Sequence, residues 1–364
     1  MLFVITDDVV NLLSLNPVQP HVARAFNRLL SSYSDGHHIL LMEPKSCKII
    51  ENHTIFSAAE VAAAKRIRNK YAEYGNLPNK IQQYAKITPQ GTSPTAAKHG
   101  WDIPLIWLAN NPLHISQLLG EDLYDANIFV SSGQDYLETN GLNAFVIRAS
   151  LMPGGGGNTH RVLNQLAIVD QKICLCIVDS DKKSPTAVPG PTAQPCLNVS
   201  GQGLFNVVLT MGKTIENSIP WLLIDKIRKH NAVLPSLELA NLEKLQISSS
   251  LYLNLKRGFC GHDFQGLSQS GCKLFWQTLA IAVAGNPICC AVGINCSAKN
   301  QGSCQYKVHS GYGNSLLSDI ADWLKTNEAK GRSRKYLPSP NSTDWIKIGQ
   351  IVSSFTLGQQ ERRI

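Results

Sequence analysis

Apolar runs alternate with amphipathic stretches along most of the chain, and their lengths predict a succession of strands and helices. A strand at Leu2–Ile5 precedes a helix around His21–Ser32 and a second strand at His38–Met42. Ser57–Tyr74 carries Glu60, Lys65, Arg66, Arg68 and Lys70 at its polar positions and reads as an amphipathic helix with a basic bias. Between Gly75 and Asp102 the composition shifts to Asn, Pro, Gln, Gly and Thr, which predicts a linker or surface loop. Apolar runs resume at Ile103–Ala109 and His114–Leu119, the second ending in Gly120-Glu121. Asp122 or Asp125 can cap a helix that continues through Leu137, and Asn143–Ala149 is the next strand.

The longest buried-type run is Lys172-Ile-Cys-Leu-Cys-Ile-Val-Asp-Ser-Asp181. Six apolar residues are short for a helix, and this run is rich in β-branched residues and Cys, so it predicts a strand buried on both faces of a parallel sheet. A further strand at Leu204–Leu209 and a helix at Trp221–His230 complete an order of strand, helix and strand with short joints. That order predicts an α/β fold, a central parallel sheet flanked by helices. Beyond Asn231 the pattern turns mostly helical with loops. The expected organisation is a small α/β unit at 1–75, a linker or loop at 76–102, a catalytic α/β domain at 103–260 and a helical, Cys-containing region at 261–364.

Composition changes this picture little. Hydrophobic residues at 43%, charged residues at 16% and a mean hydropathy of −0.08 describe a globular chain rather than a disordered one, and 364 residues accommodate two or three domains. No run reaches the length of a membrane span, and the opening Met1-Leu-Phe-Val-Ile-Thr-Asp-Asp lacks a basic leader, which predicts a cytoplasmic protein without a membrane partner. The formal charge of +8, from 34 Lys and Arg against 26 Asp and Glu, is compatible with a polyanionic partner such as DNA or RNA. Of the 10 Cys, Cys174 and Cys176 fall inside the apolar strand and read as small buried hydrophobes. Cys260, His262, Cys272, Cys289, Cys290, Cys296 and Cys304 make no matched pair of Cys-x₂-Cys motifs, so structural Zn²⁺ is the minor reading there.

Candidate chemistry centres on the end of the buried strand. In an extended chain residues i and i+2 point the same way, so Asp179 and Asp181 are expected to present two carboxylates together at the carboxyl end of a central strand, where open α/β sheets place ligands. A hard divalent cation relieves the repulsion between two such carboxylates. Capping of the following turn is the plainer role for an Asp-x-Asp at this position. Pro153-Gly-Gly-Gly-Gly-Asn-Thr-His160 opens a helix, and its amides suit a phosphate. It lacks both the P-loop and the dinucleotide spacing, which favours a flexible loop beside an active site. Asp7, Asp8, Glu43 and Glu51, near predicted element ends, faintly resemble a reduced PIN-like nuclease domain, with solvated loop acids as the plainer account.

A Glu after one strand, Gly120-Glu121-Asp-Leu-Tyr-Asp125, and an Asp-x-Asp after another, Asp179-Ser-Asp181, together resemble the Toprim domain, the metal-binding fold of topoisomerases, primases and overcoming-lysogenisation-defect nucleases. Ile215-Glu216-Asn217 before a helix and Tyr252-Leu-Asn-Leu-Lys256-Arg-Gly258 resemble motifs of Toprim-like nucleases of bacterial anti-phage systems, and the resemblance spans roughly residues 103–260. It implies that Glu121 is a general acid/base or metal-binding glutamate and that Asp179 and Asp181 bind Mg²⁺ or Mn²⁺. It further implies that Glu216 completes a second metal site, that Asp125 supports the first, and that Lys256 faces the scissile phosphate. The implied activity is Mg²⁺-dependent hydrolysis of DNA or RNA by the toxic effector of a defence system; a regulatory partner protein or complex is a candidate partner, and the sequence does not say whether one holds the activity in check. The alternative is a non-catalytic module that binds nucleotide or nucleic acid. The long glycine loop and the lack of strand-passage or primase machinery depart from the topoisomerase and primase pattern.

Overall fold

A computed structural model describes residues 1–230, 251–260, 263, 271–277, 307–309, 311–326, 333–337 and 341–359. The chain divides into two units. The first comprises Met1–Cys176, Asn198–Val207 and Ile348–Ile364, and the second Ile177–Leu197 and Val208–Lys347.

The first unit contains a five-stranded sheet made of β1 (Leu2–Ile5), β2 (Ile39–Leu41), β3 (Tyr84–Thr88), β4 (Thr95–Ala97) and β5 (Gly100–Pro104), in the order β2-β1-β3-β5-β4. All neighbours are parallel except β4, which lies antiparallel on β5. Phe3 opposes Leu40 on one side and Ala85 on the other, and all three are fully buried, as a central parallel strand requires. The helix Pro20–Ser34 buries Val22, Ala25, Phe26, Leu29 and Leu30, the spacing of one apolar face. Ala58–Asn69 begins where the sequence suggests, since Ser57 Oγ accepts from the Glu60 amide while the Glu60 carboxylate accepts from the Ser57 amide.

The expected linker at 76–102 is overturned: this stretch supplies β3, β4 and most of β5. Its polar, Gly- and Pro-containing composition belongs to the turns, while Ala85, Ile87 and Trp101 enter the core. At Gly100, with φ +126°, an added Cβ would meet the Tyr84 amide nitrogen at 3.1 Å, so close strand pairing there requires glycine.

A second sheet is built from β6 (Gln117–Gly120), β8 (Ser150–Pro153), β9 (Cys174–Val178) and β10 (Phe205–Leu209), ordered β10-β9-β6-β8. β6 is parallel to both β8 and β9, with Leu119 opposite Met152 and Cys176. Every residue of β9 is buried, and burial pushes the Cys174 thiol up to about 12, so this cysteine is a neutral core residue. The helix Leu123–Thr139 connects β6 towards β7 (Phe145–Ile147), which pairs antiparallel with β13 (Leu357–Gln359) as a separate ribbon. Gly133 on that helix leaves room for Ile147 and Val352, which a Cβ would approach to 2.9 Å. The chain is therefore an α/β protein with parallel-strand sheets flanked by helices.

In the second unit the described helices include Ile215–Ser218, Trp221–His230 and Leu316–Lys325, and β11 (Phe259–Cys260) pairs antiparallel with β12 (Lys307–His309). Asn341 ties its centre together: Oδ1 accepts from the Trp221 amide and Nδ2 donates to the Asn217 and Ile219 carbonyls. Of the Cys-bearing region, Cys260 and Cys272 are buried, while His262, Cys289, Cys290, Cys296 and Cys304 lie outside the described residues. The helical reading of 231–250 also falls outside them. Among the described residues no helix is long and apolar enough to cross a membrane.

Candidate metal centre

The Asp179-Ser180-Asp181 turn follows directly on β9, and its geometry differs from the extended one expected. Asp181 has φ +51°, so strand alternation stops before it and does not set the direction of its side chain. Asp tolerates this left-handed conformation better than most residues, which suits it to a tight exit from a buried strand. Ser180 between the acids is 1% exposed and anchors the turn: its amide donates to Thr210 Oγ1 at 3.0 Å and its hydroxyl to the Gly212 carbonyl at 2.5 Å. The Asp181 amide donates to the Lys213 carbonyl at 2.8 Å. Asp179 Oδ1 accepts from the Ile215 amide at 2.7 Å, capping the short helix that carries Glu216.

These bonds fasten the Asp-Ser-Asp turn to the loop 210–215. The same loop is held from its other side, where the Lys213 amide donates to the Leu251 carbonyl at 2.7 Å and Asn217 Nδ2 to the Leu253 carbonyl at 3.0 Å. Thr214 and Asn217 close a capping box of their own. Gly190 packs against Asp181, where an added Cβ would run into the Asp181 Cβ and stand 2.8 Å from Oδ2.

Glu216 is wholly buried. Its Oε1 lies 2.6 Å from Lys256 Nζ, a charge contact outside hydrogen-bond directionality, and neither carboxylate oxygen has a hydrogen-bond partner among the described residues. Burial raises the Asp181 carboxyl above the usual carboxylate range; Lys213 and Lys256 oppose the rise and Glu216 adds to it. Burial likewise lowers the Lys213 ammonium, with Asp181 and Asp263 holding it up and Lys183 and Arg257 pressing it down. Arg257 in turn lies 3.5 Å from Asp263. In the second unit, therefore, Glu216 and Lys256 meet directly, Asp179 caps the short helix that carries Glu216, and Asp181 lies in electrostatic reach of Lys213, Glu216 and Lys256. Lys213 was missed in the sequence because nothing in Met211-Gly-Lys-Thr distinguishes it from a solvated loop lysine.

Glu121 and Asp125 belong to the first unit. Glu121 directly follows β6, and its carbonyl accepts from the Gly155 and Gly156 amides at 3.0 and 3.3 Å, while the Gly154 amide donates to the Gly120 carbonyl. The glycine loop is therefore a clasp on the backbone of Gly120 and Glu121, and these three amides are already spent. Asp122 is the N-cap of the helix Leu123–Thr139, and Asp125 Oδ2 accepts in return from the Asp122 amide at 2.9 Å. Asp7, Glu43 and Glu51 are each held locally: Asp7 by Lys45 and Ser46, Glu43 by the Tyr71 hydroxyl and Glu51 by Arg68.

Among the described residues no three His, Cys, Asp or Glu side chains are gathered closely enough to hold a metal ion as they stand. The donor chemistry of the cluster nonetheless fits a hard cation: its acids offer only oxygen, and the buried Glu216 carboxylate has coordination capacity that no hydrogen bond uses. Compared with protein-family models, curated proteins and solved structures, the chain matches none.

Proposed function

We propose that the chain is a Mg²⁺-dependent nuclease of Toprim-like type, in which Asp179, Asp181 and Glu216 hold the cation and Lys256 faces the substrate phosphate. The observation that carries this reading is the buried Glu216 carboxylate, countered by Lys256 at 2.6 Å, in electrostatic reach of the half-buried Asp181. A buried acid that spends neither oxygen on a hydrogen bond is costly to keep for structure alone, and a cation would repay that cost.

A bound divalent cation would supply an activated water and charge stabilisation at phosphorus. The protein's own part is positional. Ser180, Thr210 and the Gly212 carbonyl fix the turn that carries both aspartates, and the Ile215 amide orients Asp179. Lys256, which neutralises Glu216 in this structure, would be the point charge available to a phosphate oxygen were Glu216 to hold a cation. Glu121 is assigned the acid/base role on the resemblance, and Asp125 supports it through the helix cap. The net charge of +8 suits a nucleic-acid substrate, and a role as defence effector rests on the same resemblance.

The alternative of a nucleotide sensor at the glycine loop is disfavoured, because the Gly154, Gly155 and Gly156 amides bind the carbonyls of Gly120 and Glu121. The test is incubation of purified protein with plasmid, single-stranded DNA and tRNA in Mg²⁺ and in EDTA. Cleavage in Mg²⁺ alone is expected; absence of cleavage on all three substrates contradicts the reading.

A further inference from the structure

The second unit also carries a group of four aromatic rings that the nuclease reading does not use. Phe259 and Trp276 form its inner half: they are 8% and 1% exposed, their rings stack with centroids 4.2 Å apart, and the Trp276 indole donates to the Lys183 carbonyl at 2.7 Å. Phe275 stands edge-on to Trp276 at 5.3 Å, and Tyr252 edge-on to Phe275 at 5.7 Å. These two outer rings are half-buried, and Leu274 beside Phe275 is 65% exposed. The backbone around Tyr252 is fixed on both sides, since the Leu251 carbonyl accepts from the Lys213 amide and the Leu253 carbonyl from Asn217 Nδ2. The outer rings are thus open to solvent yet already held in place.

We propose that Tyr252 and Phe275 form a stacking platform for the unpaired bases of single-stranded nucleic acid, whose phosphates are held by the cations around the rings. Charge supplies the second argument. The second unit contains 18 Lys and Arg against 11 Asp and Glu, so +7 of the chain's +8 lies in it. Its cations border the rings along the chain: Lys256 and Arg257 lie between Tyr252 and Phe259, Lys273 comes just before Phe275, and the Lys183 backbone is tied to Trp276. The Arg257 side chain is 62% exposed and meets Asp263 only at 3.5 Å, a contact that a phosphate can displace at little cost. Aromatic faces beside cations bind single strands without sequence preference, because every base has a π-face to stack, whereas the bases of a duplex are already stacked on one another. The inference rests on the reading of this unit as one that acts on nucleic acid, and it names single strands as the substrate class.

The experiment measures binding in EDTA, apart from turnover. Fluorescence anisotropy of labelled oligothymidylate, oligouridylate and a DNA duplex of the same length is followed against salt for the full-length wild type and Y252L/F275L, in which leucine keeps apolar bulk and removes the π-face. The wild type should bind single strands more tightly than the duplex. Y252L/F275L should bind single strands about 10-fold more weakly, the loss of one stacked base, with the slope of log K against log salt unchanged. R257Q should instead make that slope shallower by about 0.7, the value of one single-strand phosphate contact. Y252W should bind as the wild type does, and Y252L alone replaces the double variant where the latter fails to fold. A duplex bound as tightly as the single strands, wild-type affinity in the folded aromatic variant, or no binding of any oligonucleotide by the wild type overturns the proposal. Cleavage in Mg²⁺ by a protein whose aromatic variant binds undiminished removes this inference alone; the expected binding pattern without any cleavage removes only the nuclease reading.

Discussion

Glu216 and Lys256 stand 2.6 Å apart with very different surroundings: the glutamate side chain is 1% exposed and the lysine side chain 38%. Removing the lysine leaves a buried carboxylate without its cation. K256M should therefore lower stability by about 2 kcal/mol, less than for a wholly buried pair because water reaches the lysine. E216Q/K256M should recover most of that loss. Chemical denaturation of the two single mutants and the double mutant gives the coupling; additive losses would show that the contact contributes nothing.

Gly190 lies where only a hydrogen fits beside Asp181. G190A should displace the Asp181 carboxylate while leaving the rest of the unit folded, and lower cleavage roughly 100-fold, in line with the cost of a small misplacement of a reacting group. Undiminished cleavage by a folded G190A would show that the position of Asp181 is not critical.

Asp344 provides a pH test in the same unit. Burial raises its carboxyl, with the Ser218 hydroxyl and the Met211 amide opposing the rise through their bonds to Oδ2. A folded-state value above the unfolded one means that the native protein binds this proton more tightly. The stabilising effect of protonation is thus present below the ordinary carboxylate range and lost as pH rises through the folded value. D344N keeps an acceptor without the charge. Its melting temperature should gain on that of the wild type as pH rises through this window, and the difference should close in acid. A pH-independent difference between the two melting curves would contradict the assignment.

Asp125 and Asp122 cap the helix Leu123–Thr139 reciprocally. D125A should cost about 1 kcal/mol by loss of the cap, with D125N losing less because it retains an acceptor. Cleavage by D125A should persist once the protein is assayed well below its melting temperature; its abolition in a folded D125A would make Asp125 a direct ligand.

The sequence made the strands and capped helices legible where burial is one-sided or complete. β1, β2, β6, β9 and β10 all fall within the predicted runs, as do the helix starts at Ser57 and Asp122. β3 and β5 escaped because Lys86 and Asp102 interrupt short runs set among Pro, Gly and Asn turns, so local composition outweighed burial that only the parallel neighbours supply. At the site, the identities of Asp179, Asp181, Glu216 and Lys256 were readable as motifs, but their arrangement was not. The left-handed Asp181 and the bonds from Ser180 to Thr210 and Gly212 join segments 30 or more residues apart, which no local pattern records. The glycine loop has the sequence of a phosphate cradle or a flexible loop; its actual partner, the Glu121 carbonyl, is likewise distant in sequence.

The central claim is that Asp179, Asp181 and Glu216 together bind a divalent cation. Isothermal titration of Mn²⁺ into the wild type and into folded D179A/D181A tests it most directly. Saturable binding by the wild type and its loss in the double mutant is the predicted result; identical titrations of the two proteins would contradict the account.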